Sequence, residues 1–396
     1  MLWVLIILAS ALIVFLIQQK IYAKHALRDI RYAVEPETDE AIEGEDVYLY
    51  EVITNEKSLP LPFVRVELIL PEGLQLRFAR NRDLSGKSDE LRESVQSVFV
   101  LRGHQSIRRR WRVYCAKRGD YSIDKARIIA NDLFGSDTRS AGLTFEQTSR
   151  NRLVVLPKIL PLDKNFLSSY LRQGDSVTDF ALLTDPMLIA GSREYTPQDP
   201  WRSIHWKSTA VHGTLMVKTE EYTISPRFNL ILNMQSRDIE KEPHTPSIPS
   251  FNEQCISVCA SIFDAVSAWN LPVRLIANTY PGPLGCSPLS EDDFGRDILL
   301  SSVHSGRAGI IDMLRLLAMI PMEISVPIEK MLDHIVAHPE LYASDRNIVL
   351  VSPYLSERMV VFHEELKKQG VQVLFYITGY SANALLIPDD LQVFYT

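Results

Sequence analysis

The feature that most constrains the fold is a change in the spacing of apolar residues near Pro226. Before it, from about Glu35 to Leu156, short segments with strand-like alternation are separated by turn-rich stretches such as NEKSLPLP. After it, apolar segments alternate with stretches of helical spacing. A chain of 396 residues, 46% of them hydrophobic, is long enough to form two globular domains of different classes.

The first pattern predicts an antiparallel, immunoglobulin-like β-sandwich over residues 32–156. The second predicts a doubly wound parallel sheet with flanking helices over residues 226–396, beginning with the strand FNLILN. Residues 157–225 lie between them and are predicted to form a hinge segment. The expected fold class is therefore α/β plus all-β.

The N-terminus is strongly apolar, because the run from Leu2 to Ile17 contains no charge and a single polar side chain, Ser10. It predicts a transmembrane helix over residues 1–23. A cleaved signal peptide is the alternative, but nothing basic precedes the run. The positive-inside rule then predicts a single-pass protein of the inner membrane, with its later domains in the cytoplasm. The basic residues behind that prediction are Lys20, Lys24, Arg28 and Arg31.

The charge balance bears on possible partners. A net charge of -7 argues against a nucleic-acid partner. The segment SIRRRWRVYCA is nevertheless basic, and strand alternation would place Arg108, Arg110 and Arg112 on one face. Two interpretations remain, a solvated strand face and a phosphate-binding stripe, and the solvated face is favoured.

The segment GSREYTPQDPWRSIHWKSTA, residues 191–210, places many charged side chains around Trp201 and Trp206. Buried charges are tolerated only when they are paired, so this segment forms a fixed network or presents one to a partner. Asp199 and Pro200 predict the start of a short helix over WRSIHWKST. Arg193 is expected to pair with the carboxylate of Asp199 or Glu194.

This segment and its continuation resemble the signature of the bacterial domain-of-unknown-function-58 family, and KRGDY and NDLFG resemble its preceding strand-rich region. The resemblance implies a membrane segment, a von Willebrand factor A-like C-terminal domain, and a MoxR-type AAA+ ATPase as partner. Gln198 and Val211 depart from the family pattern. The matching residues are Arg193, Glu194, Tyr195, Asp199, Arg202, Ile204, His205, Trp206, Lys207, Gly213, Leu215 and Val217.

Ligands of an open α/β sheet gather at the carboxyl ends of its strands. Von Willebrand factor A-like domains that bind metal carry an Asp-x-Ser-x-Ser loop there, and the resemblance aligns Asn233, Gln235 and Arg237 with its three ligands. Ser352 and Pro353 also offer no carboxylate at the end of a later strand. We therefore expect no metal ion and no cofactor.

Two functions from different classes are compatible with these features. The favoured one is a membrane-anchored, non-enzymatic interaction or assembly factor, an adaptor or partner of a MoxR-type AAA+ ATPase. The alternative is a cell-envelope hydrolase in which His205 acts as base and Ser203 or Ser208 as nucleophile. No GxSxG turn surrounds either serine, which weakens the enzyme hypothesis.

Overall fold

We describe the chain from a computed structural model. Contacts divide it into two compact units, the first formed by Met1–Ile159 with Met313–Ile320 and the second by Leu160–Asp312 with Pro321–Thr396. The structure describes residues 2–78, 90–131, 138–144, 151–162, 166, 184–196, 201–222, 228–237, 248–267, 271–279, 287–288, 297–338, 347–381 and 391–395.

Unit 1 begins with a helix and continues as a series of short strands. The helix is α1 (Leu2–His25). The strands are β1 (Ile30–Pro36), β2 (Glu40–Ile42), β3 (Asp46–Asn55), β4 (Leu61–Ile69), β5 (Leu74–Phe78), β6 (Glu90–Arg92), β7 (Ser94–Leu101), β8 (Gln105–Cys115), β9 (Gly119–Ser122), β10 (Lys125–Asn131), β11 (Thr138–Thr144) and β12 (Arg152–Leu156).

Two sheets of unit 1 form a β-sandwich. One has the order β1-β3-β8-β5-β6 and the other β11-β10-β4-β7, while β2, β12 and β9 form a small third sheet. Alternate residues along the strands are buried, as in β7, because every second side chain of a strand points to the same face. Val64 and Val66 of β4 share one apolar core with Leu49 and Ile53 of β3. The two sheets are therefore packed through their inner faces.

A carboxylate, Glu51, lies within this core and is fully buried. It accepts hydrogen bonds from the Tyr32 hydroxyl at 2.9 Å, the Ser97 hydroxyl at 2.8 Å and the Trp111 indole nitrogen at 2.8 Å. Burial, together with the Glu51 carboxylate, raises the pKa of the Tyr32 hydroxyl far above its ordinary value. Since Glu51 is on β3 and Ser97 on β7, the group links the two sheets of the sandwich.

The membrane prediction is wrong. Within the part of the chain that the structure describes, no helix combines the length and apolarity needed to cross a bilayer. The apolar run of α1 ends at Ile17, short of the roughly 20 residues that a span requires, and Gln18 and Gln19 follow it. The end of α1 packs on protein, because Tyr22 is buried and its hydroxyl donates to the Pro60 carbonyl at 2.8 Å. The transmembrane helix over residues 1–23 and the inner-membrane location are therefore not supported.

Unit 2 alternates strands and helices after a β-hairpin. A short 3-10 helix, Trp201–Ser203, precedes the α-helix at Trp206–His212. The elements are β13 (Thr184–Glu194), α2 (Trp206–His212), β14 (Met216–Tyr222), β15 (Phe228–Leu232), α3 (Pro249–Ser267), β16 (Val273–Ala277), β17 (Ser287–Pro288), β18 (Leu299–Leu300), α4 (Gly306–Met319, whose last residues belong to unit 1), α5 (Ile328–Ala337), β19 (Asn347–Leu355), α6 (Glu357–Lys368), β20 (Gln372–Ser381) and β21 (Val393–Tyr395).

The larger sheet of unit 2 has the order β17-β18-β16-β15-β19-β20-β21. The five adjacent strands β16, β15, β19, β20 and β21 are parallel to their neighbours in that order. Strand β18 is antiparallel to both β16 and β17. Every residue of β15 is buried, as expected for a central strand. Strands β15, β16, β19 and β20 lie where the alternation of apolar segments predicted strands. Strands β17, β18 and β21 were not predicted, and the sheet is mixed.

The predicted fold class is wrong as a whole. It combined a membrane helix, a sandwich and an all-parallel doubly wound sheet, whereas the described chain is mainly β and its first helix is not a membrane span. The two-residue strands at 287–288 and 299–300 are too short to show a strand period in the sequence. Their antiparallel pairing at the edge of the sheet could not be anticipated from alternation alone.

Unit 1 also includes the end of α4. Arg118, which follows β8, is 8% exposed, and its Nη1 lies 2.8 Å from the Leu317 carbonyl oxygen and 3.0 Å from those of Ala318 and Ile320. The last carbonyls of a helix lack partners within the helix, so a guanidinium is a favourable cap for them. Arg118 thereby joins a piece of chain about two hundred residues away to the sandwich.

Candidate functional site

The signature segment lies in unit 2 as the long connection of a β-hairpin. Strands β13 and β14 are antiparallel, with Arg193 opposite Val217 and Glu194 opposite Met216. The connection carries the 3-10 helix and α2 and is bound to the hairpin end by backbone contacts. The Tyr195 amide donates to the Leu215 carbonyl at 2.8 Å, and Ile204 forms an isolated antiparallel bridge with Val217. Most of the connection is thus held close to the hairpin end.

His205 has a structural role in this connection, because its ring caps α2. The Ser208 amide donates to His205 Nδ1 at 2.9 Å, and the His205 amide donates to the Met216 carbonyl at 2.8 Å. An Nδ1 that accepts a hydrogen bond leaves the ring proton of a neutral imidazole on Nε2. At the other end, Gly213 adopts φ +74° and closes the helix, a conformation that glycine adopts without strain.

The predicted helix over WRSIHWKST begins later than expected. The structure has a 3-10 turn at Trp201–Ser203, a break at Ile204, and an α-helix only from Trp206. Ile204 is buried and bridges to β14, which takes its backbone out of helical geometry. Asp199 and Pro200, the predicted cap and first residue, lie outside the described residues.

Of the residues in the predicted ion pair, Arg193 and Glu194 lie among the described residues. Arg193 is exposed, and its Nη1 lies 3.2 Å from the backbone oxygen of Glu194. Asp199 and the side chain of Arg202 lie outside the described part, so these two predicted members of the network cannot be placed. Lys207 is exposed on the first turn of α2.

Four apolar side chains of the connection are turned to solvent. Trp201 is 67% exposed and Trp206 is 66% exposed, and Val211 and Leu215 are exposed as well. The ring of Tyr195 lies beside that of Trp201, with 5.8 Å between the centroids. We call Trp201, Trp206, Val211 and Leu215 the tryptophan surface. Large exposed apolar side chains grouped in one segment are typical of binding surfaces.

Sequence reasoning missed the hydroxyl contacts that support this surface. The Ser192 and Ser208 hydroxyl oxygens lie 2.6 Å apart, and the Met216 amide donates to the Thr209 hydroxyl at 3.0 Å. Serine and threonine within a helix often bond nearby backbone or side chains, but their partners here are set by the hairpin, not by sequence spacing.

A second cluster lies at the carboxyl ends of β15 and β19, at the loop that the resemblance aligns with a metal-binding loop and for which no metal ion is expected. Asn233, Gln235, Asn278, Ser352 and Tyr354 are each at most 1% exposed. We call these five residues the amide network. The Asn233 side-chain nitrogen donates to the Ser352 hydroxyl at 3.0 Å, and that of Gln235 donates to the Tyr354 hydroxyl at 2.7 Å.

The oxygen atoms of this network are already used as acceptors. Asn233 Oδ1 accepts from the Gln235 amide at 2.9 Å and from Asn278 Nδ2 at 3.3 Å. Asn278 Oδ1 accepts from the Met234 amide at 2.7 Å, and Gln235 Oε1 accepts from the Ile328 amide at 3.1 Å. Hard divalent cations need several free oxygens, preferably carboxylates, and these amide oxygens are engaged within the protein.

Arg237 occupies the third position of the predicted loop. Its backbone oxygen accepts from Gln235 Nε2 at 3.0 Å, and its Nη1 is buried with no hydrogen-bond partner among the described residues. Within the described residues, no three His, Cys, Asp or Glu side chains come close enough to hold a metal ion.

Burial raises the pKa of Cys255 on α3 to about 12, so this thiol stays protonated at neutral pH.

Comparison with known proteins gives little guidance. No protein-family model matches the chain, and no curated protein matches it. Part of the chain is similar to a fragment of native alpha-2-macroglobulin from Escherichia coli, at 14% identity and a TM-score of 0.24, over 33% of this chain and 24% of that one.

Two further similarities have lower TM-scores. The CARDB domain of the PF1109 protein from Pyrococcus furiosus gives 7% identity and a TM-score of 0.18, over 29% of this chain and 91% of that one. The sporulation control protein Spo0M from Bacillus subtilis gives 11% identity and a TM-score of 0.18, over 33% of this chain and 50% of that one. Such values carry no argument about function, and the family resemblance stays a prediction.

Proposed function

We propose that this protein is a non-enzymatic interaction or assembly factor that binds a partner protein through the tryptophan surface. The partner that the family resemblance suggests is a MoxR-type AAA+ ATPase, for which the chain would act as adaptor. The energy for any remodelling would then come from the ATPase, and the role of this chain would be recognition.

The exposure of the two indole rings supports this proposal most directly. Trp201 and Trp206 each leave about two thirds of their surface in water, at 67% and 66%. Tryptophan is among the residues that contribute most to protein interfaces, because burying its large ring removes much apolar surface from water. Leaving two of them exposed in one short connection is unfavourable unless a partner covers them.

The backbone beneath the rings is held in place, which favours binding. The cap by His205, the Ile204 bridge and the left-handed Gly213 fix both ends of α2. A surface that is already ordered loses less conformational entropy when a partner binds. The tryptophan surface therefore has the properties of a preorganised docking site.

The hydrolase hypothesis has weaker support. His205 Nδ1 accepts from the backbone amide of Ser208, not from a hydroxyl that it could activate. The Ser208 hydroxyl instead lies 2.6 Å from that of Ser192. A nucleophile and its base should contact each other directly. Among the described residues, this contact is not formed around His205.

The test uses the full chain and a purified MoxR-type AAA+ ATPase. We expect the double substitution Trp201→Ala with Trp206→Ala to weaken binding, measured by biolayer interferometry, at least tenfold. Any change that the wild-type chain causes in the ATPase rate should be lost in parallel. Both side chains are exposed, so the melting temperature should change little.

The matched control is Phe63→Ala, which removes an aromatic side chain that is 53% exposed on β4. This variant should bind the ATPase as the wild type does. Equal binding by the wild type and the double tryptophan variant would refute the proposal, as would turnover of an envelope substrate that depends on His205.

A further inference from the structure

A ladder of alternating arginine and tyrosine side chains lies on the outer face of the sandwich. In the antiparallel pair of β3 and β8, Tyr48 is opposite Arg112 and Tyr50 is opposite Arg110. The guanidinium carbon of Arg110 lies 4.3 Å from the ring centroid of Tyr48, and that of Arg108 lies 3.8 Å from that of Tyr50. We call these five residues the arginine–tyrosine ladder.

The charge of the ladder is only partly neutralised. Arg112 pairs with Asp46 at 2.6 Å, and the Tyr50 hydroxyl donates to Glu37 at 3.4 Å. Arg108 and Arg110 are exposed, and neither has a carboxylate partner among the described residues. Two positive charges therefore face solvent side by side, on a protein whose net charge is -7.

Stacking sets how these two guanidinium groups can be used. A guanidinium held flat on a ring keeps its N–H edges free, and those edges match a carboxylate with two parallel hydrogen bonds. Each tyrosine ring lies against one guanidinium carbon and so restricts where that arginine can sit before a partner binds. Arg109, which lies between them on the strand, is used differently, since its Nη2 donates to the Val98 carbonyl at 2.6 Å.

The spacing of the two arginines indicates the kind of partner. Alternate side chains on a strand are roughly 7 Å apart on one face, and an extended peptide spaces its own alternate side chains equally. We propose that the arginine–tyrosine ladder binds an extended acidic segment of a partner protein, with carboxylates two residues apart facing Arg108 and Arg110. This interaction surface is independent of the tryptophan surface.

A single-stranded nucleic acid also carries regularly spaced negative charges, but the ladder suits it less well. Proteins that bind single strands stack the bases on open aromatic faces. Here the ring faces of Tyr48 and Tyr50 are occupied by guanidinium groups. The overall negative charge of the protein also disfavours a long polyanion, whereas a short peptide with two carboxylates interacts mainly with the charges nearest to it, Arg108 and Arg110.

The test measures fluorescence anisotropy with a labelled peptide of alternating Glu and Thr and the full chain, at low and high salt. We expect saturable binding at low salt that a Gln–Thr peptide does not show. Arg108→Gln with Arg110→Gln should weaken binding at least tenfold. Arg108→Lys with Arg110→Lys keeps the charge but removes the planar fork, so it should weaken binding by a smaller factor.

The control is Lys125→Gln with Arg127→Gln, which removes two exposed charges from the other sheet and should leave binding unchanged. The double tryptophan variant should also bind the peptide normally, so a failure of one proposal does not imply failure of the other. Unchanged binding by the double glutamine variant at 108 and 110 would overturn the inference. Tighter, ladder-dependent binding of a labelled oligothymidylate would overturn it in favour of nucleic acid.

Discussion

The amide network and the tryptophan surface, both in unit 2, differ in which side chains they bury and which they expose. In the amide network every side chain is buried, and its oxygens and nitrogens bond to one another, to nearby backbone or, for the Tyr354 hydroxyl, to the Glu329 carboxylate. In the tryptophan surface the backbone and polar groups are fixed, but large apolar side chains face solvent. The network therefore resembles a core, whereas the surface resembles half of an interface.

The comparison teaches that a signature position is not by itself a site. The amide network stands where a metal loop would be expected from the family resemblance, yet its neutral side chains use their bonding capacity within the protein. Its contribution is to stability, because buried polar groups are costly when unpaired and acceptable when paired. The tryptophan surface contributes little to stability and so is free to serve recognition.

The largest effect is expected from Gln235→Ala, which tests the amide network. It would leave the Tyr354 hydroxyl without its 2.7 Å donor and the Ile328 amide without its acceptor, and would open a small cavity. We expect the free energy of unfolding to fall by about 3 kcal/mol, measured by urea denaturation of the full chain.

The matched control is Gln369→Ala at the exposed end of α6, which should change the free energy of unfolding by less than about 0.5 kcal/mol. If Gln235→Ala were equally harmless, the network would not be a stabilising core, and the contrast between the two regions would fail.

A smaller effect on stability is expected from substitution of His205, which caps the helix beneath the tryptophan surface. His205→Ala removes the acceptor of the Ser208 amide and should lower the free energy of unfolding by about 1 kcal/mol. Asparagine is a good helix cap, so His205→Asn should recover most of that loss without restoring an imidazole. Thermal unfolding of both variants, alongside binding to the AAA+ ATPase, checks this.

If His205→Asn were as stable as the wild type but functionally inactive, the imidazole would have a chemical role. That outcome would favour the hydrolase hypothesis over the capping role.

The smallest expected effect on stability is that of divalent cations, which tests whether the amide network binds a metal ion. A cation that bound the folded state at the amide network would raise the melting temperature through linkage. Since the amide oxygens there already accept protein hydrogen bonds, we expect millimolar Mg²⁺ or Ca²⁺ to leave the melting temperature unchanged in differential scanning calorimetry. A rise that Gln235→Ala abolishes would make the network a cation site after all.

Much of the secondary structure could be predicted from the sequence, because it depends on local periodicity. The strand-type residues of β7 and the largely apolar run of β15, in which Asn229 is the polar residue, are visible in the sequence itself. The fold class and the membrane location could not be predicted correctly. The apolar run of α1 is close to the length of a span, and the pairing of short edge strands depends on tertiary contacts.

For the candidate site, the sequence located the tryptophan segment and the loop at 233–237 but not what holds them. Gln235 and Tyr354 are 119 residues apart, and no local spacing predicts such a bond. The late start of α2 follows from the bridge between Ile204 and Val217, which outweighs the local helix signal. Contacts between distant residues therefore decided which polar positions are structural.

The contact of Arg118 with the end of α4 has a consequence for how the protein is made. During synthesis strands β1 to β12 leave the ribosome long before Leu317, Ala318 and Ile320, whose carbonyls this guanidinium binds. Until these carbonyls have been synthesised, the Arg118 guanidinium must remain hydrated, because an unpaired charge is costly to bury. The first half of the chain can therefore reach its final form only when translation has passed well into the second.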